Sequence, residues 1–160
     1  MVKMILCIDL NGSIGKDNDL LFKIKEDMIF FRGQTKDNIV VMGYNTWLSL
    51  GEKPLPNRAN IVMTEKNIKN IQTSTDLVSV IEDYKRYPQD IFIIGGAYVY
   101  NQALELNLID EILVTVVQTR VEDATVRVNI KLFENFKKRE LIKTFINEEG
   151  IKVEIWRMKK

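Results

Sequence analysis

Runs of apolar residues that end at a glycine or at turn-forming residues recur along the first two thirds of the chain. The runs IVVMG (39–43) and DIFIIGG (90–96) are almost wholly apolar, which is typical of strands buried on both faces of a parallel sheet. A segment with helical character follows each of them directly. Further strands are predicted at 3–10, 60–64 and 111–117. Alternating strands and helices predict an α/β fold with a mainly parallel sheet.

The last third of the chain has a different pattern. The segments KRELIKTFIN and KVEIWRMKK alternate apolar and polar residues on either side of NEEG, which predicts a hairpin of antiparallel strands. The expected fold class is therefore an α/β three-layer sandwich with a mainly parallel central sheet, flanking helices and an antiparallel C-terminal edge. Its 160 residues contain neither a linker nor an internal repeat, so a single domain spanning 1–160 is predicted.

One acidic residue has an unexpected position in the helical segment KIKEDMIFFRGQT (23–35). At helical pitch, Asp27 falls on the edge of an apolar stripe. The stripe consists of Ile24, Met28, Phe31 and Thr35. An acid in the first turn is favoured by the helix dipole, so Asp27 is either an ordinary surface carboxylate or a functional carboxylate that faces a pocket.

Composition narrows the available chemistry. The chain has no histidine, which excludes Ser-His and Cys-His nucleophile pairs and His-ligated zinc sites. Its single cysteine, Cys7, excludes an intrachain disulfide and predicts a reducing compartment, the cytoplasm. The formal charge of +1 gives no reason to expect nucleic acid or a membrane surface as a partner, and neither a signal peptide nor a bilayer-spanning stretch is predicted. Acid-base chemistry would have to come from a carboxylate, Lys, Tyr, Cys or water, which favours a functional Asp27.

Two strand-to-helix junctions contain glycine, VVMG-YNTW and FIIGG-AYVY. Glycine lets a ligand approach the backbone and a helix N-terminus attracts phosphate, so the pair suits a ligand with two phosphates; tight turns alone would also explain both. Neither a P-loop nor a G-x-G-x-x-G motif is present, which disfavours a kinase or a Rossmann dehydrogenase. Thr115 is either a strand former or a hydroxyl that orients a buried carboxylate. Arg58 is either a surface arginine or a clamp for a carboxylate.

Taken in order, these segments resemble dihydrofolate reductase over nearly the whole chain. The matching pieces are the N-terminal strand, the loop with Ile14, Gly15 and Asn18, the helix DMIFFRGQT, VVMGYNTWLSLG, PLPNR, IIGGAYVY, LVT and the terminal hairpin. The resemblance implies reduction of 7,8-dihydrofolate to 5,6,7,8-tetrahydrofolate by hydride transfer from NADPH, with the protein supplying alignment and a dry pocket. It also implies that the protein is a monomer.

The resemblance implies roles for individual residues. Asp27 would bind N3 and the 2-amino group of the pterin, and its pKa, raised by apolar surroundings, would help to protonate N5. Thr115 would orient Asp27, and Phe22 would belong to a mobile lid, residues 14–22, over the nicotinamide. Arg58 would hold the α-carboxylate of the glutamyl tail. The implied substrate pocket comprises Ile5, Asp27, Met28, Phe31, Leu50, Leu55, Arg58, Ile94, Tyr100 and Thr115. The implied cofactor site comprises Cys7, Ile14, Gly15, Asn18, Leu20, Gly43, Tyr44, Asn45, Thr46, Met63, Thr64, Glu65, Lys66, Gly95, Gly96, Ala97, Tyr98 and Val99.

Three departures from the family pattern affect these expectations. Leu21-Phe22 replaces Pro-Trp at the end of the lid, so the indole N–H that fixes a pocket water is lost and slower proton delivery is expected. In the segment DATVRV (123–128) only Thr125 matches the family, which puts closure of the lid in doubt. Tyr44 and Tyr98 stand where many bacterial members have arginines that bind the 2′-phosphate of NADPH.

Cofactor choice is therefore open at the sequence level. Glu65 beside the adenosine ribose would favour free hydroxyls, whereas Lys66 would favour a phosphate. Weaker discrimination between NADPH and NADH is expected, with NADPH the first choice. Two alternatives to dihydrofolate reduction also stay open: a related reductase of another pterin or of a riboflavin-pathway pyrimidine, and a noncatalytic nucleotide-binding module that has kept the fold.

Overall fold

An eight-stranded sheet runs through the centre of the structure, a computed structural model that describes residues 1–16 and 19–160. The strands are β1 (Val2–Ile8), β2 (Ser13–Lys16), β3 (Asp19–Leu20), β4 (Ile39–Gly43), β5 (Ala59–Met63), β6 (Gln72–Ser74), β7 (Ile91–Ile93), β8 (Glu111–Val117), β9 (Val126–Arg127), β10 (Lys138–Ile146) and β11 (Lys152–Lys159). The helices are α1 (Lys25–Thr35), α2 (Tyr44–Ser49), α3 (Leu77–Tyr84), α4 (Ala97–Glu105) and a short 3₁₀ helix (Ile130–Asn135). None of these described helices is long and apolar enough to cross a bilayer.

The large sheet has the strand order β10-β11-β8-β1-β7-β4-β5-β6. Every pair from β8 to β6 is parallel, whereas β11 runs antiparallel to β8 and β10 runs antiparallel to β11. The predicted α/β sandwich with a mainly parallel sheet and an antiparallel C-terminal edge is confirmed. Because the strands are parallel, the carboxyl ends of β1, β4, β5 and β7 lie along one edge of the sheet, where ligands of such folds bind.

Both faces of the sheet are covered by helices. Successive strand residues enter two separate apolar clusters: Met4 and Val41 pack with residues of α3 and α4, whereas Ile5 and Val40 pack with residues of α1 and α2. Burial on both faces explains why β4 and β8 are apolar along nearly their whole length.

Several local predictions were wrong. The first strand ends at Ile8, not at Leu10. From the sequence, Thr75 is the predicted N-cap of the helix before Pro88, but α3 is capped by the adjacent Asp76, whose carboxylate accepts the N–H of Ser79 at 3.2 Å. The polar, glycine-containing stretch from residue 11 to about 21 is predicted to be a loop, but it contains β2 and β3, which belong to a second sheet of order β3-β2-β9. These strands were missed because they are short and contain glycine and charged residues.

Replacing Ile155 with Ala tests how much the antiparallel edge contributes to stability. Ile155 lies in β11 directly beside Thr115 of β8 and is 0% exposed, so the change should lower the free energy of unfolding by roughly 2–5 kcal/mol. Ile146→Ala is the matched control, because Ile146 ends β10 at 63% exposure and should cost less than about 0.5 kcal/mol. Urea titrations measure both values, and equal losses would contradict the packing described.

Candidate active site

Asp27 lies in the first turn of α1 and faces the sheet rather than bulk solvent. Its side chain is half-buried, and its Oδ1 accepts the hydroxyl of Thr115 at 2.5 Å. Thr115 sits in the middle of β8 and is itself buried. The hydrogen bond expected between these two side chains is therefore present, and it joins the helix to the central sheet.

Cys7 is a second hydrogen-bond donor to the same carboxylate. It is the parallel-register partner of Thr115 in the neighbouring strand β1, so both side chains project from the same face of the sheet. The thiol hydrogen-bonds Asp27, and burial together with the Asp27 charge raises the pKa of Cys7 far above its ordinary value. Cys7 was expected only among the neighbours of the nicotinamide. The structure adds this contact with the acid.

The electrostatic state of Asp27 is set by opposing effects. Burial disfavours the charged form and raises the pKa of Asp27, while the hydrogen bonds from Thr115 and Cys7 oppose that rise. Burial is the larger effect, so the carboxyl holds its proton to a higher pH than an ordinary aspartic acid does. Met28, expected to be part of the apolar wall, is 53% exposed, so the desolvation comes chiefly from the sheet side.

Tyr100 lies beneath this site and is buried. Its hydroxyl donates to the backbone carbonyl of Ile5 at 2.7 Å. Burial, followed by the charges of Asp27 and Cys7, raises the pKa of Tyr100, which keeps the phenol protonated. The resemblance to dihydrofolate reductase also implies that the Ile5 carbonyl faces the pterin amino group. One of the two lone pairs of this carbonyl accepts from Tyr100, which leaves the second for a ligand.

The two glycine junctions lie against each other at the carboxyl edge of the sheet. The N–H of Gly43 donates to the carbonyl of Gly95 at 2.7 Å. A Cβ at Gly43 would lie 3.2 Å from a methyl of Val99, and one at Gly95 would lie 3.3 Å from the Thr46 hydroxyl on a backbone with φ +123°. Packing and conformation therefore explain both glycines without a ligand, and their phosphate-binding role stays a prediction.

Gly96 differs from those two glycines. Its φ is −83°, and the neighbour nearest to a Cβ there would be the Thr46 hydroxyl at 3.7 Å, an ordinary contact distance. Neither strain nor packing demands glycine at this position. Gly96 is the N-cap of α4, and no side chain accepts a hydrogen bond from the first N–H groups of this helix.

The predicted apolar walls divide between two clusters. Phe31, Leu50, Leu55 and Ile94 pack against the cluster that contains Ile5, on the α1 and α2 side of the sheet. Phe22 packs beside Cys7 in a third cluster, formed with Ile24, Val117 and Val153. Leu20 is exposed. Asn18 lies outside the described residues.

Arg58 is fixed at the C-terminal end of α1. Its Nε donates to the Thr35 hydroxyl at 3.0 Å, and one terminal nitrogen donates to the carbonyl of Pro56 at 3.0 Å. Burial and then the charge of Arg32 lower the pKa of Arg58, whereas Asp37 opposes them. The guanidinium is therefore pre-oriented for a carboxylate. Arg58 also borders a cavity of about 460 Å³ at the amino ends of β4 and β5, away from Asp27.

The start of the predicted lid is paired with the segment 123–128, whose departure from the family pattern had put closure of the lid in doubt. β2 pairs with β9, the N–H of Thr125 donates to the carbonyl of Gly15 at 3.1 Å, and Lys16 forms an ion pair with Asp123. Sequence reasoning missed Lys16 and Asp123, because only the fold brings together residues so far apart in the chain.

The residues predicted around the adenosine half of the cofactor lie at the ends of β4 and β5. Gly43 and Met63 are register partners there. The ammonium group of Lys66 lies 4.5 Å from the ring centroid of Tyr44, a cation–π contact that holds a positive charge near the start of α2. Tyr98 is exposed at the start of α4.

The fold is shared with a solved reductase. The structure of dihydrofolate reductase from Enterococcus faecalis, complexed with NADP(H) and RAB-propyl, superimposes with a TM-score of 0.80 at 22% identity and covers 99% of this chain and 95% of its own. The family model for dihydrofolate reductase matches residues 1–157. The chain belongs to the dihydrofolate reductase family.

Two relatives place the chain within that family. Dihydrofolate reductase from Ureaplasma parvum is 35% identical over 151 residues, which cover 91% of this chain and 94% of the relative. The bifunctional dihydrofolate reductase-thymidylate synthase of Paramecium tetraurelia is 32% identical over 92% of this chain. The match spans only 32% of that longer protein.

Replacing Cys7 with Ala should raise the pKa of Asp27 further, because the thiol hydrogen bond favours the ionised carboxylate. The folded-state pKa of Asp27 already lies above the ordinary value of 3.8, so its contribution to stability is complete below pH 3.8 and is lost as the pH rises through the folded-state pKa. Cys7→Ala should extend that loss to higher pH.

The pH dependence of the NMR shift of the isotope-labelled Asp27 carboxyl carbon measures this change directly. Cys7→Ser is the control, because its hydroxyl still donates and should keep the pKa of Asp27 below that of the alanine variant. An unchanged titration in Cys7→Ala would show that the thiol does not tune the acid.

Proposed function

We propose that the protein reduces 7,8-dihydrofolate to 5,6,7,8-tetrahydrofolate with NADPH as hydride donor. Membership of the family supports the reaction class. The observation that carries the proposal is the arrangement around Asp27, a half-buried carboxylate of raised pKa that is held by Thr115 and Cys7 at the ligand-binding edge of the sheet. A purely structural carboxylate in the first turn of a helix would not need two hydrogen-bond donors from the sheet against which the helix packs.

Asp27 binds and orients the pterin in this proposal. Thr115 donates to Oδ1 and Cys7 donates to the same carboxylate, which leaves its remaining lone pairs for the N3 and 2-amino groups of the ring. Because the pKa of Asp27 is raised, the pocket keeps a proton available for N5, passed on through water or through the pterin itself. Phe22 lacks the indole N–H of the family's tryptophan, so it contributes an apolar wall and no donor to that relay.

The residues at the carboxyl edge fit a nicotinamide cofactor. The uncapped start of α4, with glycine at its N-cap, suits a phosphate group, which N–H groups and the helix dipole attract. NADPH, when bound, supplies the hydride that the pterin receives. The protein orients the two rings and excludes water.

The glutamyl tail of the substrate is assigned to Arg58. Its guanidinium is already fixed by Thr35 and Pro56, so little side-chain freedom is lost when a carboxylate binds. This arrangement favours dihydrofolate over another pterin or a riboflavin-pathway pyrimidine, because those substrates have no such tail. We also expect a monomeric protein in the cytoplasm, without a nucleic-acid or membrane partner.

Turnover of dihydrofolate by Asp27→Asn tests the proposed function. The variant keeps the shape of the side chain but cannot take up or deliver the proton, so kcat at neutral pH should fall by about 100-fold or more. Glu26→Gln is the matched control: it removes the neighbouring, exposed carboxylate of α1 and should leave kcat unchanged.

The assay follows oxidation of NADPH with and without dihydrofolate. Turnover of dihydrofolate at the wild-type rate by Asp27→Asn would refute the mechanism. Oxidation of NADPH only with a pterin that lacks the glutamyl tail would favour the related reductase, and no oxidation with either substrate would favour the noncatalytic module.

The contribution of Lys66 to cofactor choice is tested by comparing kcat/KM for NADPH and NADH. With Tyr44 and Tyr98 in place of arginines, Lys66 is the proposed partner of the 2′-phosphate, and Glu65 opposes it. Lys66→Ala should lower kcat/KM for NADPH roughly 5- to 10-fold and leave the value for NADH unchanged. Lys69→Ala, at an exposed position in the same loop, is the control. A wild-type preference for NADPH as large as that of arginine-bearing relatives would contradict the expected weak discrimination.

A further inference from the structure

Asp9, directly after β1, is a completely buried carboxylate to which no role has been assigned above. It is 0% exposed. Its Oδ1 accepts the backbone N–H groups of Asn11 and Ser13, both at 2.8 Å, and its Oδ2 accepts that of Val121 at 2.9 Å. Burial alone would raise the pKa of Asp9, but the three N–H bonds outweigh it and lower the pKa, so the group is ionised in the folded protein.

The two oxygens of Asp9 serve two different segments of the chain. Asn11 and Ser13 belong to the turn that leads into β2, whereas Val121 belongs to the connection between β8 and β9. Backbone bonds accompany this bridge: Leu10 N–H donates to the Thr119 carbonyl at 2.9 Å. The carboxylate therefore joins two segments more than a hundred residues apart in the chain.

These two segments lead into β2 and β9 of the small sheet, which contains part of the predicted cofactor site. β2 carries Ile14 and Gly15, and it pairs with β9. The ion pair between Lys16 and Asp123 also joins the two segments, but both side chains are substantially exposed, so solvent screens it. The Asp9 contacts are charge-assisted and shielded from water, which makes them the stronger link.

We propose that Asp9 is a positioning residue for the cofactor site: its carboxylate fixes β2 against the segment 119–128 and thereby sets the affinity for the nicotinamide cofactor. The affinity and turnover parts rest on the proposed function, whereas the positioning of β2 does not. Asp9 need not touch substrate or cofactor to act in this way.

The variant Asp9→Asn distinguishes the contacts made by Oδ1 from the contact made by Oδ2. The amide oxygen can still accept from Asn11 and Ser13, but the NH₂ group then faces the N–H of Val121, and two donors cannot bond. If the amide of the asparagine were rotated by 180°, the hydrogen bonds from both Asn11 and Ser13 would be lost instead of the single bond from Val121. The variant should therefore keep the turn at 11–13 and cut the link to the segment 119–128.

Glu111→Gln is the matched control. Glu111 is also a buried carboxylate, 3% exposed, at the start of β8, and its ion pairs with Lys3 at 3.1 Å and Arg157 at 3.2 Å lie at the opposite edge of the sheet. Loss of the Glu111 charge should lower the stability of the protein without changing the position of β2. Val121→Pro is a second test variant, because proline lacks the N–H that Asp9 accepts and leaves Asp9 itself intact.

Amide hydrogen exchange and NADPH titration decide the question. In Asp9→Asn and Val121→Pro, the amides of Thr125 and Val128, which donate to Gly15 and Gly12, should exchange about tenfold faster, and the Kd for NADPH should rise about tenfold. Glu111→Gln should change neither the exchange rates of these amides nor the Kd for NADPH, even if its thermal stability falls as much as that of Asp9→Asn.

If Asp9→Asn shows the wild-type exchange rates at these amides, the proposal is overturned. If Asp9→Asn does not fold, wild-type exchange rates in Val121→Pro overturn it instead. Faster exchange and weaker NADPH binding in Glu111→Gln would also overturn it, because loss of any buried carboxylate would then have the same effect and Asp9 would be merely structural. If the wild-type protein binds NADPH but does not turn over dihydrofolate, the proposed function fails, while the exchange rates and the Kd for NADPH still test the role of Asp9. If the wild-type protein does not bind NADPH, the part of the proposal that concerns affinity is overturned. The exchange rates alone then test whether Asp9 positions β2.

Discussion

The hydrogen bond between Asp27 and Thr115 is the interaction on which the site depends. It places a carboxylate from α1 against β8 and the carboxyl-terminal part of β1, where burial raises its pKa and the neighbouring Cys7 partly offsets that rise. The geometry follows from strand register: Cys7 and Thr115 are partners in parallel strands, so a shift of one residue in either strand would turn a donor to the other face. The acid-base role proposed for Asp27 thus relies on how β1 and β8 pair.

The antiparallel edge and the glycine junctions support that arrangement from two sides. Ile155 of β11 lies beside Thr115 and completes the burial of β8. At the carboxyl edge of the sheet, the contact between Gly43 and Gly95 brings the starts of α2 and α4 together. Packing and backbone conformation account for these two glycines, whereas neither requires glycine at position 96.

Sequence patterns predicted the elements whose signals are long and uniform. β4 and β8 match the predicted bounds 39–43 and 111–117, because burial on both faces produces continuous apolar runs. The helix with Asp27 and the terminal hairpin were also predicted correctly. Short, polar β2, β3 and β9 carry no such signal, and their pairing depends on residues far apart in the chain. Asp9 was missed for a related reason, because the sequence places it inside the predicted strand 3–10 and only the fold shows that the distant Val121 donates to it.

The raised pKa of Cys7 has a chemical consequence for the whole molecule. Oxidants and alkylating reagents attack the thiolate, and burial beside a carboxylate suppresses that form. The chain contains no other cysteine. Its sole sulfhydryl, although it stands next to the proposed catalytic acid, is therefore held in the protonated form, which such reagents attack more slowly than the thiolate.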